Sequence, residues 1–396
     1  MLNILKYILL VGLLLLFIVL GYETLETSNT RVEVKPITLE PKSIVSVYPN
    51  KEIKSEYSVK KTFVQNNRID QDLSSLAAKN ANLSSNNISD SLYSQSKYPF
   101  ETDLERRNIS FLRVLFDNDI FNNTDYYYTN GLRVELVADF IKSAPTSKIL
   151  PALNNSDFNY QGFSVIQTIY TPINPESEEI VYDDRPFSSY LTIGHFRKSI
   201  SIEKGLRMSS EFAIGVLGPA ALGGRVQASL HEKDPIGWVY QIENDIVLDY
   251  SFSIDKAILR KKHIEAFATA SARVGTLYDN LSGGLSIRFG WFLPILDNQV
   301  YELLQLESDK FKFWFFMKAN VKAVVYDATL KGGMFNSSSL HTIDADKINR
   351  FVIDASAGLA IYHKNFGLEY ENFYLSPEFE GAKNFGYGRI KVVLGF

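Results

Sequence analysis

Gly386-Tyr387-Gly388-Arg389-Ile390-Lys391-Val392-Val393-Leu394-Gly395-Phe396 alternates strictly at its centre. Ile390, Val392, Leu394 and Phe396 fall on one face of an extended strand, and Arg389 and Lys391 fall on the other. A sheet face that apolar must meet lipid or a second sheet. The charged opposite face suits a polar lumen better than a sandwich core, and an aromatic at the last apolar position is an ending typical of bacterial outer-membrane barrels.

The same period of two runs back to Asn108. It predicts strands over 111–118, 132–141, 162–170, 188–199, 209–217, 238–253, 263–276, 281–291, 311–326, 350–362, 366–374 and 386–396. Twelve segments, an even number, fit a transmembrane antiparallel β-barrel over 107–396. Alternation is clearest in Trp238-Val239-Tyr240-Gln241-Ile242-Glu243. A large soluble β-protein is the competing fold, although the lack of a fixed internal repeat argues against a propeller.

Composition agrees with a barrel. Aromatics are abundant, with 27 Phe and 22 Tyr among 396 residues. Mean hydropathy is nevertheless near zero, as expected when only alternate residues face lipid. The net charge of −4 offers no basic field for nucleic acid. The absence of cysteine excludes disulfides, thiolate metal sites and cysteine nucleophiles. Lys6 followed by the uncharged run Tyr7–Tyr22 predicts a signal peptide or a retained anchor over 1–22. Residues 23–106, rich in Ser, Asn, Lys and Glu, read as a disordered periplasmic tether.

With both barrel ends periplasmic, odd-to-even connections are extracellular, and the unusual polar motifs gather on the first three of them. The first carries Asp117, Asn118, Asp119 and Asp125 beside a Tyr128-Thr129-Asn130-Gly131 turn. Carboxylates crowded at a hairpin tip repel one another unless a cation or hydrogen-bond donors offset their charge. The second carries Tyr170-Thr171-Pro172 and then Asp183-Asp184-Arg185-Pro186-Phe187. The third runs from Gly218-Pro219-Ala220-Ala221 through Gly223 and Gln227 to His231, and leads into Gly237-Trp238 and Gln241-x-Glu243. Gln227, Gln241 and Glu243 are expected to line the lumen and support the site. Each feature has a plainer reading as a turn former, a solvated loop histidine or a surface ion pair.

Taken in order, these motifs resemble the outer-membrane lipid A 3′-O-deacylase (LpxR) family over roughly Phe111 to Asp245. The resemblance implies a Ca²⁺-dependent hydrolase acting on lipid A, a component of lipopolysaccharide, in the outer membrane of a Gram-negative bacterium. Insertion would use the barrel-assembly machinery. It implies His231 as general base, Asn118 and Asp119 as metal-binding and catalytic residues, and Thr129 as an orienting or donating group. Glu232 takes the place of the family's second acid, in a shorter loop, with Asp234 as the other candidate. Residues 172–182 contain no Lys or Arg, unlike the family's type member, so Arg185 becomes the candidate for a lipid phosphate. A non-catalytic barrel, porin or structural, is the alternative. A serine phospholipase is disfavoured, since no Gly-x-Ser-x-Gly lies near His231.

Overall fold

The computed structural model describes residues 110–122, 126–177, 179–230, 236–292 and 310–396. The expected signal or anchor segment, the tether, His231, Glu232 and Asp234 lie outside them. The described residues contain twelve strands: β1 (Phe111–Asn118), β2 (Tyr127–Val137), β3 (Phe158–Thr171), β4 (Ser188–Ser201), β5 (Leu206–Leu217), β6 (Asp245–Lys261), β7 (Ile264–Gly275), β8 (Tyr278–Trp291), β9 (Lys312–Asp327), β10 (Phe351–His363), β11 (Phe366–Leu375) and β12 (Phe385–Gly395). Each pairs antiparallel with its chain neighbours, and β1 pairs with β12, so the sheet closes into a barrel without edges.

The faces separate as the alternation dictates. Ile193, Ile214, Ile246, Leu281, Val321 and Ile353 stand exposed on the outer wall. Inside, charges meet across neighbouring strands. Arg113 faces Glu135, Arg207 faces Asp255, and Glu265 faces Arg288 in direct register. Asp117 faces Arg389, and Glu369 faces Lys391, in the same way. All five pairs form ion pairs. Register slippage by one residue would turn each of these charges into lipid, so the pairs fix the register as firmly as the apolar face does. Phe111, Phe196, Trp314, Tyr362 and Val393 fill the lumen at the end that carries β1's start and β12's finish. Cavities of about 470, 360 and 180 Å³ lie within the barrel.

Three expectations fail locally. The strand expected over 132–141 ends at Val137, and Asp139–Ser143 is a 3-10 turn. The alternating stretch Trp238–Glu243 is no strand: Ile236–Tyr240 forms a 3-10 turn, and β6 begins only at Asp245. The Trp238 indole is buried against Phe187 and donates to Gln227 Oε1 at 2.9 Å, whereas Val239 is exposed. Over six residues, one buried aromatic beside an exposed neighbour looks the same in a tight turn and in a strand. Nor is Tyr128–Gly131 a turn. It lies within β2, which opens on Tyr127 at φ 69°. Tyr128 pairs with Tyr170 and Asn130 pairs with Ile169, leaving Thr129 as the extra residue of a β-bulge.

A candidate site on the outer wall

Asp117 points into the lumen, where it accepts from Arg389 and, at 2.8 Å, from Tyr128 Oη. Strand alternation therefore turns Asn118 to the outer wall. Its Nδ2 donates to Thr129 O at 3.0 Å, and its Oδ1 accepts from Ile120 N at 3.0 Å, so the side chain clasps the bulge to the turn that follows. That turn, Asp119–Asn122, folds back over the outer face of β11 and β12. The Phe121 ring meets Tyr370 edge-on with centroids 6.0 Å apart. Phe121 also occupies the space above Gly388, where an added Cβ would come within 2.6 Å of it. Asp119 is thereby held against the wall at 5 % exposure, beside the exposed apolar side chain of Ile120.

One row of residues carries this corner across four strands. Asn118 pairs with Asn130, Asn130 with Ile169, and Ile169 with Ser189. Three strand spacings put Asn118 and Ser189 about 14 Å apart along the wall. Beside the row, Thr129 Oγ1 and Thr171 Oγ1 share a hydrogen bond of 2.6 Å, with both residues buried. Two hydroxyls joined by one hydrogen bond keep one O–H to give to a ligand.

At the far end of the row sits helix α1 (Gly223–Leu230). Gly218 enters at φ 93°, with backbone of Glu243 within 2.6 Å of where a Cβ would stand. Only glycine takes that conformation and that approach cheaply. The following turn is fixed when Gln167, on the outer face of β3, donates from Nε2 to Ala221 O at 2.7 Å. Val226 of α1 packs on Ile169, Phe187 and Trp238. The helix therefore lies on the outer wall over β3 and β4, and its last residue, Leu230, immediately precedes His231 in the chain.

Arg185 is placed elsewhere. It is fully buried at the rim, its guanidinium paired with Glu378, donating to Thr329 Oγ1 at 2.7 Å and stacked 4.0 Å from the centre of the Tyr170 ring. Thr329 stands in the first turn of the short helix α2 (Ala328–Lys331), capped by Asp327. Burial disfavours the charged guanidinium, but Glu378, Tyr170 and Asp327 outweigh it and raise the Arg185 pKa. Arg185 thus ties three extracellular loops together, and its buried position does not suit the lipid phosphate expected from the sequence. Gln227 and Gln241 do not line the lumen either. Gln227 holds the Trp238 indole and Gln241 Nε2 donates to Trp238 O at 3.0 Å, while the backbone N–H of Glu243 donates to Ser339 Oγ at 3.0 Å.

His341, in the β9–β10 connection, seals the same rim against Tyr182 and is buried. Burial lowers its pKa below the ordinary 6.5, and the carbonyls of Tyr182 and Asp184 together with the Asp184 charge offset only part of that effect. The neutral ring is the form that fits, so the contact contributes fully above pH 6.5 and is lost as pH falls through the lowered pKa. Hydrogen exchange at residues 180–184 is expected to speed up on acidification below that point in the wild type. In His341→Gln it should show no such step.

The family model for "Outer membrane protein LpxR" matches residues 83–396. The chain belongs to the LpxR family. Its structure resembles that of LpxR from Salmonella typhimurium with a TM-score of 0.59 and 22 % identity, covering 72 % of this chain and all of the other. The β-domain of the Bordetella autotransporter BrkA aligns with a TM-score of 0.38 and 10 % identity, over 73 % of this chain and 99 % of that domain. Comparison with curated protein sequences returned no match. This LpxR-family barrel is an outer-membrane protein, and the end opposite β1's start and β12's finish is its extracellular end. Thr171, Gln167 and Ser189 were not singled out from the sequence as site residues. The available signal was an amide, Gln167, between the apolar Val165 and Ile169 on the outward face of β3.

Proposed function

We propose that the chain is a Ca²⁺-dependent lipid A deacylase that hydrolyses an ester of outer-leaflet lipid from the outer wall of its barrel. The observation that carries this reading is the location of the Asn118–Ser189 row. It lies on the outer wall at the extracellular end, and its Asn130, Ile169 and Ser189 are covered, between a buried carboxylate and a helix that stops one residue before His231. Ile120 and Leu222 are exposed beside it, which suits acyl chains. The lumen closed by Phe196, Trp314 and Tyr362 gives the porin alternative no support.

In this reading His231 takes a proton from water as the water oxygen attacks the ester carbonyl carbon. The tetrahedral intermediate then expels the sugar alkoxide, which recovers that proton from the imidazolium. Glu232 is the acid assigned to steady the His231 cation. The spare hydroxyl hydrogen of the Thr129–Thr171 pair donates to the developing oxyanion. The donor set fits a hard cation: the Asp119 carboxylate supplies charge, and Asn118 Oδ1 retains a lone pair beyond the one given to Ile120 N. Bound Ca²⁺ would supply Lewis-acid polarisation of the carbonyl.

The test uses the purified full chain with lipid A in mixed micelles. Acyl release should stop with a calcium chelator and return with added Ca²⁺, whereas chelator-insensitive release would contradict the metal assignment. Asp119→Asn is expected to raise the Ca²⁺ concentration for half-maximal rate on the order of tenfold, because ligand charge sets calcium affinity.

A further inference from the structure

Residues 138–157 connect β2 to β3 at the periplasmic end, and they return over the outer wall across β3 to β6. The wall beneath them is polar where lipid contact would predict apolar side chains. Ser147 Oγ donates to Gln161 Oε1 at 2.6 Å, Arg197 Nη1 to Leu150 O at 3.0 Å, and Tyr250 Oη to Ile149 O at 3.1 Å. Leu153 N donates to Ser199 Oγ at 2.9 Å. The segment buries Ile141 and Leu150 against the barrel and turns Phe140 (60 % exposed) and Ile149 (50 %) outward. Around the rest of this end, Trp291, Phe311, Phe366 and Phe396 are exposed, the aromatic girdle expected at a membrane interface. The returning connection carries that girdle across β3 to β6.

The same quadrant is basic. Lys148 belongs to the connection, Lys204 to the β4–β5 turn, and Lys256, Arg260, Lys261 and Lys262 to the end of β6 and its turn. Arg260 Nη1 donates to Ile202 O at 3.0 Å and Lys256 Nζ to Lys204 O at 2.6 Å, which hold the two turns together. Of the nearby acids, Asp139 pairs with Lys142, Asp157 accepts from Ile202 N at 2.6 Å, and Asp255 faces the lumen with Arg207. Glu203 is the remaining exposed acid in these turns. An apolar fringe with lysines directly beyond it matches the layering of acyl chains below phosphates.

We propose that this quadrant is a docking surface for anionic glycerophospholipid of the periplasmic leaflet. Phe140 and Ile149 enter the acyl boundary, and Lys148, Lys204, Lys261 and Lys262 meet the headgroups. The inference does not depend on the hydrolase reading.

The full chain in phosphatidylcholine bilayers, doped with spin-labelled phosphatidylglycerol or phosphatidylcholine, tests it through the motionally restricted lipid fraction. The wild type is expected to prefer the anionic label roughly fivefold at low salt, the effect of a single interfacial lysine, and to lose the preference as salt rises. K148Q/K204Q/K261Q/K262Q should bring the ratio to parity, while K347Q/K383Q, at the other end, should leave it intact. Parity in the wild type, or a preference that survives the quadruple substitution, would overturn the proposal.

Discussion

Replacing His231 by alanine is expected to lower the rate of acyl release about a thousandfold, the middle of the range for removal of a positioned general base. No other histidine is placed to take over. His195 bonds to Thr146, far down β4, and His341 is buried against Tyr182 at the rim. The contacts that seat helix α1, from Gln167 to Ala221 O and from Trp238 to Gln227, do not involve residue 231, so the variant should fold with unchanged heat-modifiable mobility. Histidine titrates near neutrality, and the wild-type rate should therefore fall on the acid side as the base is protonated. The residual rate of His231→Ala should lack that limb. A variant rate within tenfold of the wild type, with the acid limb retained, would show that another group is the base.

The largest effect on stability is expected at Arg185. Arg185→Met leaves the Glu378 carboxylate and the Asp327–Thr329 cap without their cation, inside a rim closed by Tyr127, Leu330, Ile348 and Phe379. Breaking a buried pair by removing one partner costs about 3–5 kcal/mol, and the lower end applies because Glu378 is partly exposed. Urea unfolding in detergent micelles should show this loss, and Glu378→Gln added to Arg185→Met should recover part of it. If Arg185→Met unfolded like the wild type, the guanidinium would not be a structural tie, and its assignment to substrate would reopen. Catalysis should fall less than stability, since the knot lies at the rim and the Asn118 row lies on the wall.

The barrel was legible because its information is local. A period of two needs no knowledge of distant residues, and twelve expected strands match twelve observed ones. The lumenal ion pairs follow once the register is known, since Arg113 and Glu135 or Arg207 and Asp255 stand directly opposite. Long-range contacts at the rim were not legible. Nothing near Arg185 in the sequence announces Glu378, and its run Asp183-Asp184-Arg185 looks like an exposed ion pair. Asp184 in fact caps the loop, accepting from Ile173 N at 2.7 Å. Trp238 misled through alternation in too short a window, and Thr129 through a bulge whose sequence resembles a turn. The outward direction of Asn118 needed the inward commitment of Asp117 to Arg389, a partner 272 residues away.

Hydrolysis of an outer-leaflet lipid A ester at this wall is the reaction proposed. It is tested most directly by mass spectrometry of lipid A from outer membranes of cells expressing the full chain, beside cells expressing His231→Ala at equal folded levels. Loss of an acyl or acyloxyacyl mass is expected in the wild type alone. Identical lipid A in both, with the wild-type barrel folded in the membrane, would contradict it.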